Sequence, residues 1–266
     1  MIIKLLALDI DGTLTNHAGV ISERNKRAIH RAIESGVHVV LATGRGRIAT
    51  RPIWTFLELH GPSIQYGGAM IADIDTERAL VLHEMPPEVI RAVLDFSVEM
   101  GVPAQIYVDD AVITERTSTT AEGYVSRHHL PFIIDPDIRK KTFRNVPKIL
   151  AFAPLDRADA LFTAYRERFT GIAQVSRSSP GFIEINCLGV TKATALEELS
   201  QMLNVPRENT AAMGDNYLDI EMIQWAGVGV SVASGEAEVL AAADVIAPSC
   251  DDDAVADFIE RYVLCE

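Results

Sequence analysis

The sequence has few cysteines, and their arrangement argues against two common roles for this residue. Cys187, Cys250 and Cys265 are an odd number at wide spacing, with no CxxC pair and no Cys/His cluster along the chain. A disulfide framework or a zinc site normally shows closely spaced ligands. We therefore expect free thiols of minor structural importance and a cytoplasmic protein.

Long apolar runs and excess positive charge are also lacking. The apolar run of residues 1–8 ends at Asp9 and Asp11, so it cannot act as a secretory signal, and no other run reaches membrane-spanning length. Lys and Arg total 24 against 37 Asp and Glu, a formal net charge of −13 that would repel a phosphate backbone. We predict no membrane and no nucleic-acid partner, whereas the oligomeric state stays open.

The two ends of the chain alternate between apolar runs and helical periodicity. Residues 2–8 form a β-branched and aliphatic run, a helical pattern follows Ser22, and residues 37–42 are again continuously apolar. This order predicts a βαβ unit with parallel strands. The same alternation returns near the C-terminus, with helices at 192–203 and 218–226 and strands at 210–213 and 228–232. Both ends are expected to share one doubly wound α/β sheet.

The sequence pattern in the middle of the chain predicts an α+β insertion. Asp109-Asp110 lies between two short apolar runs and predicts a hairpin, and further strands are expected at 149–152, 173–176 and 182–185. Helical patterns at 87–100, 121–129 and 158–169 lie between them. We predict a core made of residues 1–82 and 187–266 and an inserted domain of residues 83–186.

Four polar clusters stand where ligands bind in open α/β sheets, beyond the carboxyl ends of strands or at a helix start. They are Asp9-Ile10-Asp11-Gly12-Thr13, Thr43-Gly44-Arg45, Lys192, and Gly214-Asp215-Asn216-Tyr217-Leu218-Asp219. Each cluster, taken alone, also has an ordinary interpretation as a turn or a solvated surface group. The first cluster is the most specific of the four, because acidic residues beside a buried strand are costly without a functional role. Together, and in this order, they indicate a catalytic site.

The first cluster suits attack on a phosphate ester. Two carboxylates one residue apart are expected to face the same way at a strand end, so that Asp9 attacks while Asp11 handles protons. Gly12 allows a tight turn close to a ligand. Thr43, Gly44 and Lys192 are candidates to hold phosphate oxygens, the lysine with the help of its helix dipole.

A divalent cation is expected at this site. Asp9, Asp11, Asp215 and a phosphate dianion repel one another by about 4 kcal/mol per like pair at ~4 Å and an effective dielectric near ~20, which one lysine cannot offset. Ligation by oxygen alone, with few protein carboxylates, favours Mg²⁺ over zinc.

The four clusters resemble the motifs of the haloacid dehalogenase superfamily of phosphatases, in its Cof-type branch with a large α/β cap (type IIB). The resemblance spans essentially the whole chain. It implies a Rossmann-like core, a cap between the second and third motifs, and a covalent phosphate intermediate on Asp9. It further implies Mg²⁺ held by Asp9, the backbone carbonyl of Asp11, and Asp215. Asp219 and Asn216 would support the metal shell, and phosphate would be held by Ile10, Thr43, Gly44 and Lys192.

Two positions depart from the family pattern. Gly67 replaces the Asn of an Asn-Gly-Ala turn, and Leu218 stands where the branch usually has an Asn that contacts phosphate. Neither touches the predicted nucleophile. The sequence therefore indicates a Mg²⁺-dependent phosphatase of sugar phosphates or similar small metabolites. A phosphomutase or phosphotransferase on the same core, or a catalytically silent binding module, is the alternative.

Overall fold

The structure is a computed structural model and describes residues 2–265. The strands are β1 (Leu5–Leu8), β2 (His38–Leu41), β3 (Pro62–Gln65), β4 (Met70–Asp73), β5 (Arg78–Leu82), β6 (Ala104–Val108), β7 (Ala111–Thr114), β8 (Phe132–Ile134), β9 (Lys148–Phe152), β10 (Ala173–Ser179), β11 (Phe182–Cys187), β12 (Thr210–Gly214), β13 (Val228–Val232) and β14 (Val245–Ala247). The helices are α1 (Glu23–Glu34), α2 (Arg47–Leu57), α3 (Pro87–Glu99), α4 (Thr119–Arg127), α5 (Ala158–Arg168), α6 (Lys192–Met202), α7 (Ile220–Trp225), α8 (Ala237–Ala242) and α9 (Ala254–Phe258).

The chain divides into two compact units. The first contains the chain up to Gly44, Ile53–Leu80 and the chain from Thr191 onward, and the second contains Arg45–Pro52 and Val81–Val190. The segment 45–52 thus groups with the second unit, although the sequence predicts it within the core. The assignment of residues 83–186 as a cap stays a prediction.

A five-stranded parallel sheet forms the centre of the first unit, in the order β14-β13-β12-β1-β2. All four residues of β1 are buried, as expected for a central strand covered on both faces. The crossover through α1 begins at Ser22, whose side chain accepts a hydrogen bond from the Asn25 amide. Because β1 lies between β2 and β12, the loops after these three strands leave the same edge of the sheet.

A small sheet, β3-β4-β5, follows α2, with β3 antiparallel to β4. The sequence does not predict it, because β3 (PSIQ) has one aliphatic residue among proline and polar residues and so shows neither an apolar run nor a clear alternation. Residues 66–68 connect β3 to β4 in a tight 3₁₀ turn. Ala42 and Ile64 pair as an isolated parallel bridge, which fixes this turn beside the end of β2.

The second unit has a six-stranded sheet in the order β10-β11-β9-β6-β7-β8. Its pairs are antiparallel except for β7 with β8. The hairpin of β6 and β7 is confirmed, and its turn residues Asp109 and Asp110 have φ values of 47° and 64°. A separate apolar core packs residues of α3 and α5 against the sheet, including Ile90, Ile149 and Tyr165.

The predicted fold class is confirmed, since a parallel α/β sheet and a mixed α+β unit are both present. Within the described residues, no helix is both long and apolar enough to cross a membrane.

Candidate active site

Asp9 lies one residue beyond β1 and is only 3% exposed. Its backbone amide donates a hydrogen bond of 2.9 Å to the carbonyl of Met213 in β12. Parallel pairing of Leu8 with Met213 therefore places the residue after each strand at the same edge of the sheet. The first and fourth clusters of the sequence meet there.

Lys192 is the cation of the site and is 1% exposed. It begins α6, where Thr191 and Thr194 form a reciprocal capping box that fixes the start of the helix. Its Nζ donates hydrogen bonds of 2.6 Å to Oδ1 of Asp9 and of 2.6 Å to Oδ1 of Asp219. One buried ammonium thus donates hydrogen bonds to two buried carboxylates that lie on different loops.

Asp215 is held against the first cluster by two small residues. Thr13 Oγ1 donates a hydrogen bond of 3.0 Å to Oδ1 of Asp215. Gly12 has a φ of 83°, and a Cβ atom at this position would lie 2.5 Å from Oδ2 of Asp215. Gly12 is therefore needed for the close approach of Asp215 as well as for the turn. The sequence suggested the turn but not the contact.

The loop after β12 is shaped by its own side chains. Oδ2 of Asp219 accepts hydrogen bonds of 3.2 Å from the amides of Asp215 and Asn216. Oδ1 of Asn216 accepts one of 3.0 Å from the Leu218 amide. Asp219 and Asn216 thus hold the loop around Asp215 through hydrogen bonds, and their support of a metal shell stays a prediction.

Burial and the neighbouring negative charges raise the pKa values of Asp9 and Asp215. Burial, followed by the charge of Asp219, holds the pKa of Asp9 well above its ordinary value, although Lys192 lowers it. The same two causes raise the pKa of Asp215 to about 7. For Lys192, burial lowers the pKa, but Asp219 and Asp9 together outweigh burial, so the pKa is raised and the ammonium stays charged.

The carboxylates are arranged as a divalent cation requires. One oxygen from each of Asp9, Asp215 and Asp219 lies within 4.8 Å of the other two. Among residues 2–265, the buried Oδ2 of Asp9 has no hydrogen-bond partner, which is costly for a carboxylate unless another positive group faces it. The raised pKa values of Asp9 and Asp215 also indicate that Lys192 does not supply enough positive charge. These residues can therefore hold a metal ion through oxygen atoms.

The environment of Asp11 differs from the prediction that its side chain faces the same way as that of Asp9. Asp11 is exposed, whereas Asp9 is buried. The alternation of a strand does not extend this far, because β1 ends at Leu8 and the chain turns, with the Leu14 amide bonded to the Ile10 carbonyl at 3.1 Å. Asp11 is still close enough for its charge to contribute to the raised pKa of Asp9.

The second cluster is held by the turn that follows β3. Thr43 is buried, and its amide donates a hydrogen bond of 2.9 Å to the carbonyl of Ile64. Its carbonyl accepts one of 2.9 Å from the Gly67 amide. Gly67 therefore contributes through its backbone, which an Asn at this position could also do. Thr43 and Gly44 lie in the loop directly after β2 and Ala42, at the same sheet edge as Asp9.

Gly68 links this turn to α6, a contact that the sequence does not reveal. Gly68 has a φ of 107°, and a Cβ atom there would collide with the backbone carbonyl of Thr191. Only glycine combines this backbone angle with such a close approach. The turn of residues 66–68 thus packs on the first turn of α6, next to Lys192.

Comparison with known proteins agrees with this geometry. A family model described as haloacid dehalogenase-like hydrolase matches residues 6–259. The putative phosphatase YxeH of Bacillus subtilis is 29% identical, and the match covers 99% of each chain. The 5-amino-6-(5-phospho-D-ribitylamino)uracil phosphatase YcsE of the same organism is 31% identical, covering 98% of this chain and 96% of that one.

A solved structure has the same fold over nearly the whole chain. The crystal structure of a haloacid dehalogenase-like hydrolase from Bacteroides thetaiotaomicron matches with a TM-score of 0.86 and 29% identity, covering 97% of this chain and 99% of that one. The predicted family and enzyme class are confirmed. The chain belongs to the haloacid dehalogenase-like hydrolase family and is a phosphoric monoester hydrolase.

Proposed function

We propose that the protein is a Mg²⁺-dependent phosphatase of small phosphorylated metabolites that works through an aspartyl phosphate on Asp9. The observation that carries the proposal is the buried arrangement around Asp9. Its Oδ1 accepts a hydrogen bond from Lys192, whereas its buried Oδ2 finds no hydrogen-bond partner in the described part of the chain. A carboxylate that is held at one oxygen keeps the other oxygen available for metal binding or attack.

Asp9 and Asp11 divide the chemistry between them. The Asp9 carboxylate attacks phosphorus, a new O–P bond forms, and the ester P–O bond breaks. Asp11 gives its proton to the leaving oxygen, then takes a proton from the water that attacks the aspartyl phosphate and releases inorganic phosphate and free Asp9. The exposure of Asp11 fits this role, because an acid that exchanges protons with solvent and substrate should not be sealed in the core.

The remaining residues of the site would bind phosphate and metal. Backbone and side-chain groups of Ile10, Thr43 and Gly44, with the ammonium of Lys192, are proposed to hold phosphate oxygens. Asp9, the backbone carbonyl of Asp11, and Asp215 are proposed to bind Mg²⁺. When bound, the cation would neutralise negative charge that builds on the transferring phosphoryl group.

Support for hydrolysis of small phosphomonoesters comes from the relatives. YcsE is named as a phosphatase of a phosphorylated ribityl compound, and YxeH as a putative phosphatase. Both match almost the full length of this chain, so no further catalytic domain is needed to explain a similar reaction. A sugar phosphate or a similar polyol phosphate is the substrate class that we propose.

The test is phosphate release from a panel of phosphomonoesters by the purified chain, with Mg²⁺ and with EDTA. We expect turnover of sugar phosphates that EDTA abolishes and excess Mg²⁺ restores. Asp9→Asn should lose turnover at unchanged circular dichroism, because an amide of the same size is a poor nucleophile. Asp156→Asn, which makes the same change at an exposed position, is the matched control. Turnover near that of the wild type in Asp9→Asn would refute the proposal.

A further inference from the structure

A second group of metal-ligating side chains lies outside the site described above. His17, Cys250 and Asp251 each offer one ligand atom, and these atoms lie within 4.8 Å of one another. None of the three belongs to the four clusters that indicate the catalytic site. The sequence alone shows no Cys/His cluster because His17 and Cys250 are 233 positions apart.

Two loops of the first unit bring these residues together. The backbone amide of His17 donates a hydrogen bond of 3.0 Å to Oδ1 of Asp251, and its ring Nδ1 lies 2.7 Å from Oδ2 of the same carboxylate. Cys250 is held in place by its own amide, which donates to Ser234 Oγ at 3.3 Å. The ring contact with Asp251 orients the imidazole, so its Nδ1 edge faces Asp251 and Cys250.

The sulfur-to-nitrogen distance in this group is that of a tetrahedral zinc site. Zn–S and Zn–N bonds of about 2.3 and ~2.05 Å at a tetrahedral angle separate sulfur from nitrogen by about 3.6 Å. Sγ of Cys250 lies 3.6 Å from Nδ1 of His17. The corresponding N to O separation is about 3.3 Å, so the Asp251 carboxylate has to withdraw from its present 2.7 Å contact. The side chains of His17 and Asp251 are both more than half exposed and have room to move.

The ligand types and their burial also point to zinc. Thiolate, imidazole and carboxylate together suit Zn²⁺ rather than Mg²⁺, which takes oxygen ligands. Cys250 is 2% exposed, whereas the side chains of His17 and Asp251 are 66% and 51% exposed. The sulfur therefore lies at the floor of the group, and a cation can enter from the solvent side.

We propose that His17 Nδ1, Cys250 Sγ and a carboxylate oxygen of Asp251 bind Zn²⁺, with water as the fourth ligand. Binding releases the thiol proton of Cys250 to solvent, and the proton that Nδ1 of His17 shares with Asp251 also leaves for solvent, while the ring carries a proton at Nε2. The ion joins the loop after Thr15 to the segment that leads into α9. Because an unfolded chain does not hold these residues together, zinc binding stabilises the folded protein.

Cobalt(II) distinguishes this site from the Asp9 cluster. The purified full-length protein is stripped with a chelator, kept reduced with a phosphine, supplied with excess Mg²⁺, and titrated with Co²⁺. We expect a thiolate-to-cobalt charge-transfer band and the strong visible bands of tetrahedral cobalt, both removed by Zn²⁺. The Asp9 cluster contains no sulfur and cannot produce the charge-transfer band.

Variants identify the ligands. His17→Ala and Cys250→Ser should lose the charge-transfer band, whereas Cys187→Ser and Cys265→Ser should keep it. The melting temperature of the wild type should rise with Zn²⁺, and this rise should be absent in His17→Ala, whose exposed side chain can be removed without disturbing the core. Absence of the band from the wild type, or its persistence in His17→Ala or Cys250→Ser, would overturn the proposal.

Discussion

Thr13 Oγ1 donates a hydrogen bond of 3.0 Å to Oδ1 of Asp215, although 202 residues separate them in the chain. The bond lowers the pKa of Asp215 against the larger effects of burial and Asp219. Thr13 is fully buried and contacts the proposed metal ligand from the loop that also carries Asp9. It is therefore a positioning residue, and its hydroxyl favours the charged form of Asp215.

Thr13→Val should weaken Mg²⁺ binding with little change in shape. A hydrogen bond to a charged group is worth roughly 1.5–3 kcal/mol, which corresponds to about a tenfold to hundredfold loss in apparent Mg²⁺ affinity. The measurement is phosphatase activity as a function of Mg²⁺ concentration. Thr13→Ser keeps the hydroxyl and should behave nearly as the wild type. An identical Mg²⁺ dependence in Thr13→Val and the wild type would show that the bond does not support the metal site.

Asp11→Asn should affect substrates according to their leaving groups. Alkyl phosphates release a strongly basic alkoxide that needs a proton, whereas aryl phosphates release a weaker base. We expect a larger fall in kcat for a sugar phosphate than for p-nitrophenyl phosphate, measured with the same enzyme preparation. Equal losses on both substrates would mean that Asp11 acts through metal binding or structure instead of proton transfer.

Leu218→Asn should raise kcat/KM on small phosphomonoesters. The family resemblance predicts an Asn that contacts phosphate at the position of Leu218, and one such bond contributes roughly 1.5–3 kcal/mol, or about one to two powers of ten in rate. Oδ1 of the neighbouring Asn216 accepts the Leu218 amide, and its Nδ2 is predicted to be a partial substitute as a donor to phosphate. Leu218→Ala is the control, since it removes the hydrocarbon without adding a donor. A sharp loss of activity in Leu218→Asn would instead indicate that Leu218 packs against the substrate.

The stability of the metal-free protein should fall as pH rises. The pKa of Asp215 is raised from 3.8 to about 7 in the folded state. Between these values the folded protein binds more protons than the unfolded chain, so the free energy of unfolding decreases with increasing pH. Urea unfolding of chelator-treated protein from about pH 5 to about pH 7 measures this. Asp215→Asn should show a shallower decrease, and an equal or steeper one would contradict the assignment.

Most elements that carry the site could be predicted from local sequence. The apolar run before Asp9 predicts β1, and the Ser22 cap and the helical spacing after it predict α1. The turn residues Asp109 and Asp110 predict the β6–β7 hairpin. By contrast, β8 has three residues and β3 (PSIQ) has a single aliphatic residue, so neither shows an alternation that could be recognised.

The sequence by itself determined the residue types of the site, because strand ends and helix starts are local features and place Asp9, Lys192 and Asp215 at ligand-binding positions. Only the tertiary structure decided which atoms meet. Sheet order β12-β1-β2 brings Asp215 to Thr13 and Gly12, and the start of α6 brings Lys192 to Asp9. It also buried Asp9 while leaving Asp11 exposed. These outcomes depend on contacts between residues about 200 positions apart, which no local period or spacing records.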